Sequence, residues 1–371
     1  MRKLQGKPRT FDTPKGLRMI DDQDLVSVVV PAYNAEKTLL RTLKSACRQS
    51  HENLEIIVVD DGSIDRTAAI VEELSRSEKR LHLIQQENKG VAAARNRGIA
   101  EARGKYIAPL DADDIWHPTK IDKQVRLMAD GPRIGLVYTW YRIVDGDDRI
   151  CDTPRPRWAR GDVYARLVIE NFVGNASSPL IRRKLLEQIG GYNTLVGQGA
   201  ADLCMQLDIA EVSLFDLVPE YLVGYRRSPS SMSASGLSML RAQLSVLDHV
   251  QHQHPGFPAR LLRWSKGEVS AFYGVTLFKR NPALGLYLLV TGVLNDPVGT
   301  WHLAAAPVIR SAFRLGGKRL TETGEIPNRR AIGLNFLDAD PAKLWTQEPS
   351  RWRRKRIAAA EAFKFAPDLP D

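Results

Sequence analysis

Residues 106–114 read Tyr-Ile-Ala-Pro-Leu-Asp-Ala-Asp-Asp, an apolar run that ends in a cluster of carboxylates. The apolar part predicts a buried β-strand, which places Asp111, Asp113 and Asp114 at its carboxyl end, where open α/β sheets bind ligands. Crowded carboxylates repel one another unless a cation neutralises them. Hard divalent cations take oxygen ligands and often share them with substrate phosphates. The stretch therefore predicts a metal-bridged site for a nucleotide or a sugar nucleotide, with an ordinary acidic surface loop as the alternative.

Two earlier segments repeat the pattern of a buried strand, a polar loop and a helix. Residues 26–34 are Val-Ser-Val-Val-Val-Pro-Ala-Tyr-Asn, and residues 54–62 are Leu-Glu-Ile-Ile-Val-Val-Asp-Asp-Gly. Three units of this kind predict parallel strands with right-handed crossovers, whose loops meet at one edge of the sheet. Tyr33, Asp61 and the carboxylates of 111–113 would then converge on one crevice. Helix capping and solvated turns explain any one of these loops, but they explain all three together less well.

Four motifs in chain order resemble the donor-binding half of a family-2 glycosyltransferase with a GT-A fold. They lie at residues 26–34, 58–67, 88–96 and 110–114. The resemblance covers residues 25 to about 130. It implies an α/β fold of the Rossmann-like, nucleotide-diphospho-sugar transferase type, with a mixed, mostly parallel sheet flanked by helices.

The resemblance also implies roles for residues of the donor site. Pro31 and Tyr33 would line the pocket for uracil and ribose, and Asp61 would accept a hydrogen bond from the base, which favours a uridine nucleotide. Arg95 would help to fix the donor, because a guanidinium suits phosphate geometry.

The acidic motif would complete the donor site. Asp111 would contact the ribose or the sugar, with Ala112 beside it, and Asp113 would coordinate Mg²⁺ or Mn²⁺. Such an ion stabilises the negative charge that develops on the departing diphosphate.

A candidate general base lies further along the chain. In the family, an acidic pair opens a helix and its second member takes the acceptor proton. The corresponding stretch here, residues 199–207, is Gly-Ala-Ala-Asp-Leu-Cys-Met-Gln-Leu, in which Ala201 replaces the first acid and Asp202 remains. One carboxylate within reach of a hydroxyl is enough for base catalysis. The resemblance therefore implies that Asp202 is the base of an inverting reaction, with a helix cap as the alternative.

The length of 371 residues allows one large domain with extensions or two domains. We expect a disordered basic lead-in at residues 1–24. A GT-A domain follows at 25–230, with its donor-binding half at 25–130 and its acceptor half at 131–230. Residues 231–371 are expected to form a helical extension with a basic tail.

Several classes of protein are disfavoured. No apolar run reaches the length of a membrane span, and the N-terminus lacks the apolar core of a signal peptide. Three scattered cysteines (Cys47, Cys151 and Cys204) form no disulfide framework or zinc-type spacing. These features predict a cytoplasmic protein in a reducing compartment.

The net charge of +10 favours anionic partners. No nucleic-acid motif accompanies it, so nucleic acid is not expected as a partner. Basic runs at 310–319 and 351–356 predict either peripheral contact with the anionic inner face of the cytoplasmic membrane or a solvated charged tail. Arg226 and Arg227 would bind a donor or acceptor phosphate, or form a surface salt bridge.

Three histidines form a further cluster in the sequence, at His249, His252 and His254. The run is polar, breaks at Pro255 and has no partnering ligand nearby, which disfavours a zinc site. Cys204 is expected to serve packing alone.

The sequence thus predicts a metal-dependent, inverting hexosyltransferase-type enzyme. It would move one sugar from a nucleotide-sugar donor, with UDP-sugars favoured, to a saccharide acceptor. The expected acceptor is lipid-linked, in the synthesis of bacterial exopolysaccharide or another surface polysaccharide. The alternatives are a non-catalytic sugar-nucleotide binding module, suggested by Ala201, and a sugar nucleotidyltransferase. The latter is disfavoured because residues 31–36 are not a Gly-rich phosphate loop.

Overall fold

The computed structural model describes residues 24–196, 199–227, 236–278, 280–301, 303, 332–342 and 351–363. The expected lead-in at 1–24, apart from Asp24, and the basic run at 310–319 lie outside these ranges.

Strands and helices alternate through the first part of the chain, as the repeated pattern predicts. Their bounds are β1 (Val26–Ala32), α1 (Leu39–Cys47), β2 (Leu54–Asp60), α2 (Thr67–Ser75), β3 (Leu81–Gln85), α3 (Val91–Glu101), β4 (Tyr106–Pro109), β5 (Ile115–Trp116) and α4 (Lys120–Asp130). The next part contains β6 (Ile134–Val144), β7 (Ile150–Asp152), α5 (Tyr164–Ile169), β8 (Leu180–Arg182), α6 (Arg183–Gln188), α7 (Ala201–Val212) and β9 (Leu214–Arg226). Helices α8 (Gly236–Gln253), α9 (Ala259–Phe278), α10 (Pro282–Asn295), α11 (Pro297–Thr300) and α12 (Arg351–Ala362) follow.

The described strands form one sheet in the order β3-β2-β1-β4-β8-β6-β9-β5, with β7 paired to β6. Strands β3, β2, β1 and β4 are mutually parallel. Strand β8 runs antiparallel to both β4 and β6, whereas β9 is parallel to β6. Because β2 and β4 lie on opposite sides of β1, the strand order reverses at β1. The carboxyl ends of β1 and β4 therefore form a topological switch point, the place where open α/β sheets bind ligands in a crevice.

The side chains of β1 alternate between the two faces of the sheet, so the core has two layers. Val26, Val28 and Val30 pack on the face that α1, α2 and α4 cover, whereas Val29 packs with Ala94 of α3 on the other face. A strand covered on both faces appears in the sequence as a continuous apolar run. The mixed α/β fold predicted from the sequence is confirmed.

The C-terminal segments pack back onto the sheet. Residues 332–342 bring Phe336, which is 1% exposed, against Ile115 and Ile150. Asp340 O accepts a hydrogen bond of 2.8 Å from Arg142. Part of the segment expected to be a helical extension therefore completes the core of the sheet domain.

The basic helix α12 is anchored by ion pairs. Arg353 contacts Glu170 at 2.5 Å, and Arg356, only 5% exposed, contacts Asp296 at 2.8 Å and Glu268 at 3.1 Å. These two arginines bind the protein itself, so a solvated tail is the wrong description of this part of 351–356.

No helix within the described ranges has both the length and the apolar character that crossing a bilayer requires.

Candidate active site

The loops after β1 and β2 are joined by reciprocal hydrogen bonds. Asn34 N donates to Ser63 Oγ (2.9 Å), and Ile64 N donates to Asn34 Oδ1 (3.0 Å). Glu36 N donates to Asp65 Oδ2 at 3.1 Å. Asn34 has a left-handed backbone with φ of 49°, a conformation that asparagine tolerates better than most residues. The two loops therefore form one fixed rim of the crevice.

Tyr33 and Pro31 differ in their availability to a ligand. Tyr33 is 53% exposed on this rim, whereas Pro31 is buried within β1 beside Val59. Of the two residues predicted to line the base pocket, Tyr33 therefore presents the larger surface.

Asp61 is buried, and its carboxylate accepts three hydrogen bonds. The donors are Gln86 Nε2 (2.7 Å), Lys89 N (2.9 Å) and Gly90 N (2.8 Å). A carboxylate has about four acceptor sites, which leaves about one for a nucleobase. Gly90, with φ of 88°, begins α3 at this point. Asp61 thus orders the loop that leads into α3, and its predicted contact with the base stays a prediction.

The Asp111–Asp114 loop is held by side chains from two sides. Thr38, directly before α1, and Thr42 of α1 donate hydroxyl hydrogen bonds to Ala112 O at 2.9 and 3.0 Å. Ser177 accepts a hydrogen bond from Asp111 N (3.0 Å) and donates one to Asp114 Oδ2 (2.6 Å). The loop is therefore fixed before any ligand binds.

Arg95 joins the acidic loop to α7. Its Nη1 donates to Asp202 Oδ1 at 2.7 Å and its Nη2 donates to Asp111 Oδ1 at 2.5 Å, although Arg95 itself is only 2% exposed. Burial lowers the pKa of Arg95, but Asp202 and Asp111 more than offset this and raise it above its ordinary value. With its guanidinium engaged in this way, Arg95 positions two carboxylates, and its predicted part in fixing the donor stays a prediction.

Asn96 and Tyr192 support this arrangement. The guanidinium carbon of Arg95 lies 5.2 Å from the centre of the Tyr192 ring. Asn96 accepts a hydrogen bond from Tyr192 N (2.7 Å) and donates one to Tyr192 O (2.8 Å). The last residue of the 88–96 motif thus fixes the aromatic ring against which Arg95 packs.

Asp202 lies in the first turn of α7, next to the buried Ala201. Its side chain remains 26% exposed while it contacts Arg95. Burial, and then the nearby Asp111, raise the pKa of the Asp202 carboxyl, and Arg95 offsets part of this rise. A raised pKa makes a carboxylate a better proton acceptor, provided that the pH keeps it ionised.

Asp113 is the best candidate for a metal ligand. Burial and the neighbouring Asp111 raise the pKa of Asp113 to about 6. Asp111 is paired with Arg95, and the fully buried Asp114 accepts hydrogen bonds from Ser177 and from Arg226 N, so Asp113 is the acid of this loop whose carboxylate has no hydrogen-bond or ion-pair partner in any other described residue. A divalent cation at Asp113 would supply that compensation, and the residues therefore fit Mg²⁺ or Mn²⁺.

Arg226 corrects an expectation drawn from the sequence. It is 3% exposed; its backbone N donates to Asp114 Oδ1 (2.9 Å), its Nε donates to Asp113 O (2.8 Å), and its Nη2 pairs with Asp148. Buried in this way, Arg226 supports the acidic loop and neither binds a phosphate nor forms a surface salt bridge.

The sequence did not single out Ser177, Tyr192 or Asp148 as part of the site. Each lies outside the four motifs and more than thirty residues from the acidic loop. Their residue types carry no local signal, because the sheet alone brings them to the crevice.

We expect Arg95→Lys to lower the free energy of unfolding by about 2 kcal/mol, because an ammonium cannot pair with two carboxylates through a planar fork. Urea denaturation measures the change. Arg97→Lys is the matched control, since Arg97 is two residues away on α3, is 53% exposed and pairs with Glu101. Equal stability of the two variants would contradict the bridging role.

The chain is similar in sequence to known glycosyltransferases. Residues 27–190 match the family model of Glycosyl transferase family 2. An uncharacterised glycosyltransferase of Methanocaldococcus jannaschii is 31% identical over 208 residues, which are 55% of this chain and 71% of that protein. The UDP-Glc:α-D-GlcNAc-diphosphoundecaprenol β-1,3-glucosyltransferase WfgD of Escherichia coli is 39% identical over 126 residues. That match covers 34% of this chain and 49% of WfgD, so the chain spans about half the length of that relative.

Two solved structures share the fold. S. aureus TarS in complex with UDP-GlcNAc has a TM-score of 0.52 at 15% identity, covering 82% of this chain and 98% of the other. The mannosyltransferase PcManGT of Pyrobaculum calidifontis, in complex with GDP-Man and Mn²⁺, has a TM-score of 0.51 at 22% identity, covering 78% and 88%. At these identities the likeness concerns the fold alone.

Proposed function

Because the chain belongs to glycosyl transferase family 2 and has the GT-A fold, we propose that this glycosyltransferase moves one sugar from a nucleotide-sugar donor to an acceptor hydroxyl with inversion. The observation that carries the proposal is the Asp111–Arg95–Asp202 bridge. It holds a carboxylate of the donor loop and a base candidate on opposite arms of one guanidinium.

The proposed reaction uses Asp202 as the general base. Asp202 removes the proton of the acceptor hydroxyl while the acceptor oxygen forms a bond to the anomeric carbon. The bond from that carbon to the diphosphate oxygen breaks, and the diphosphate leaves with its electron pair. When bound at Asp113, Mg²⁺ or Mn²⁺ would supply Lewis-acid stabilisation for this negative charge.

A UDP-sugar is the favoured donor. The proposal is supported by WfgD, whose name specifies UDP-Glc, and by Tyr33 and Asp61 at the carboxyl ends of adjacent strands. An exposed aromatic ring can stack on a base, and the remaining acceptor site of Asp61 suits a base N–H.

A lipid-linked saccharide in bacterial surface polysaccharide synthesis is the favoured acceptor. WfgD acts, by its name, on a sugar linked to diphosphoundecaprenol. TuaG of Bacillus subtilis, whose name refers to teichuronic acid biosynthesis, is 40% identical to this chain over 113 residues.

The test is transfer by the purified chain from a panel of UDP-, GDP- and dTDP-sugars to diphosphate-linked saccharides, with Mn²⁺ and with chelator. Metal-dependent release of one nucleoside diphosphate, together with an inverted product, is the expected result. Tight donor binding without turnover on any acceptor would favour the non-catalytic binding module. Formation of a nucleotide sugar from a sugar phosphate would favour the nucleotidyltransferase.

Peripheral contact with an anionic membrane is proposed on a second observation. Helices α9 to α11 and the adjoining Trp301 carry ten large apolar side chains that are more than 40% exposed. They are called here the α9–α11 face and are Phe272, Val275, Phe278, Leu286, Tyr287, Val290, Val293, Leu294, Val298 and Trp301. Exposed apolar side chains in such number favour an interaction surface, and the net charge of +10 favours an anionic partner.

We expect the Leu286→Asp/Leu294→Asp variant to lose at least about tenfold in affinity for anionic vesicles, because two charges would enter the apolar layer. Co-sedimentation with anionic and zwitterionic vesicles measures the change. Leu40→Asp, on the exposed side of α1, is the control and should bind as the wild type does. Unchanged vesicle binding with altered self-association would assign the α9–α11 face to contact between copies instead.

A further inference from the structure

A second cluster of metal-ligating side chains lies on α7, beyond the residues assigned to sugar transfer. Cys204, Asp208 and Glu211 are spaced by four and three residues, which places them on one face of the helix. His249 of α8 faces them. The ligand atoms of Cys204, Asp208 and His249 all lie within 4.8 Å of one another.

We propose that Cys204, Asp208 and His249 bind a transition-metal ion of the zinc class. Sulfur, carboxylate oxygen and imidazole nitrogen together suit Zn²⁺, whereas Mg²⁺ and Ca²⁺ take oxygen ligands. Cys204 is fully buried and the other two side chains are half-buried, as a shielded site requires. The site is separate from Asp113, whose chemistry suits a harder cation.

The distances allow the ion to be bound with small side-chain movements. In a tetrahedral site with metal–ligand distances of about 2.0–2.3 Å, the ligand atoms lie roughly 3.5 Å apart. The side chains would therefore close by about 1 Å, which rotation about χ angles can provide.

The electrostatic surroundings also favour a cation. Burial, and then Glu211, raise the pKa of Asp208 to about 6. Burial, with Asp208 and Glu211, raises the pKa of the Cys204 thiol to about 12. A bound cation would stabilise both anionic forms, and binding would release the thiol proton.

Glu211 lies on the same face of α7 but has a partner of its own. His254 Nε2 lies 2.7 Å from Glu211 Oε1, and the His254 ring packs edge-on against Tyr164 with centroids 5.4 Å apart. Glu211 is therefore not counted among the proposed ligands. His252 has a different environment, because it is exposed and its Nδ1 lies 2.7 Å from Asp248 O of its own helix.

This arrangement changes two expectations drawn from the sequence. The three histidines do not form one cluster, since only His249 joins the proposed ligands. His249 has two candidate partner ligands on α7, Cys204 and Asp208. In this site Cys204 would bind the ion through its sulfur in addition to packing in the core. A bound ion would tie α7, which also presents Asp202, to α8.

The test is Co²⁺ titration of the full chain after removal of metal, with excess Mg²⁺ to occupy oxygen-only sites. We expect one Co²⁺ to bind per chain and to give a thiolate-to-cobalt absorption band. Zn²⁺ should displace the Co²⁺ and raise the melting temperature. His249→Gln and Cys204→Ala should abolish the band and weaken Zn²⁺ binding by at least about 100-fold. His252→Gln is the matched control from the same helix and should behave as the wild type does.

Further variants separate this site from the site of transfer. Asp113→Asn should keep the thiolate-to-cobalt band, because its carboxylate is not among the proposed ligands. Circular dichroism of each metal-stripped variant checks that it folds. If Cys204→Ala does not fold, His249→Gln, at a half-buried position, still tests the proposal. A wild-type protein without a thiolate band, or equal Zn²⁺ affinities of His249→Gln and His252→Gln, would overturn the proposal.

Discussion

Replacing Asp202 with asparagine is expected to lower the rate of sugar transfer by about 10³-fold, because the amide cannot take the acceptor proton. The shape of the side chain and its position in the first turn of α7 are preserved. Donor affinity should change by no more than a few-fold, since Asp111 remains paired with Arg95. Steady-state transfer rates and donor binding by calorimetry measure the two quantities.

The pH dependence of transfer distinguishes a catalytic role of Asp202 from a purely structural one. The raised pKa of Asp202 means that protonation begins at higher pH than for an ordinary aspartate, so wild-type transfer should fall as the pH drops through that raised value. The residual activity of Asp202→Asn should lack this limb. Asp130→Asn, exposed at the end of α4, should retain wild-type behaviour. A wild-type kcat in Asp202→Asn would contradict the proposal that Asp202 is the general base.

Asp113→Asn is expected to reduce metal-supported transfer by at least about 100-fold, or ~2.7 kcal/mol in transition-state stabilisation. An amide carries no charge, so it binds a divalent cation more weakly and leaves the departing diphosphate less well neutralised. Transfer rates measured across a range of Mn²⁺ concentrations test this, since the variant should need more metal for half-maximal rate.

The control for this variant is Asp122→Asn on α4, where the carboxylate pairs with Arg126. It should respond to Mn²⁺ and to chelator as the wild type does. If Asp113→Asn keeps the wild-type metal response, the ion is held elsewhere or is not used, and the proposed role of the acidic loop fails.

The donor half of the fold could be predicted because its signals are local. Strands covered on both faces, such as β1 and β2, appear as apolar runs, and the loops that follow them carry their functional side chains within a few residues.

The contacts that complete the site could not be predicted from local patterns. Arg95 and Asp202 are separated by 107 residues, and Arg226 and Asp114 by 112. Such pairs depend on the order of strands in the second half of the sheet, where β8 runs antiparallel to both β4 and β6. The Cys204 cluster is similar, because only the packing of α8 beside α7 brings its ligands together.

Arg95 serves as a counterion shared by two acids, and this links their proton affinities. A donor that draws Asp111 away from the guanidinium would leave more positive charge beside Asp202. Asp202 would then ionise more readily, so the base would be prepared when the donor is in place. Because such linkage is reciprocal, the protonation state of Asp202 must also influence how tightly the donor binds. The readiness of the base would then depend on the donor through the charge balance around one buried side chain, without the movement of a lid.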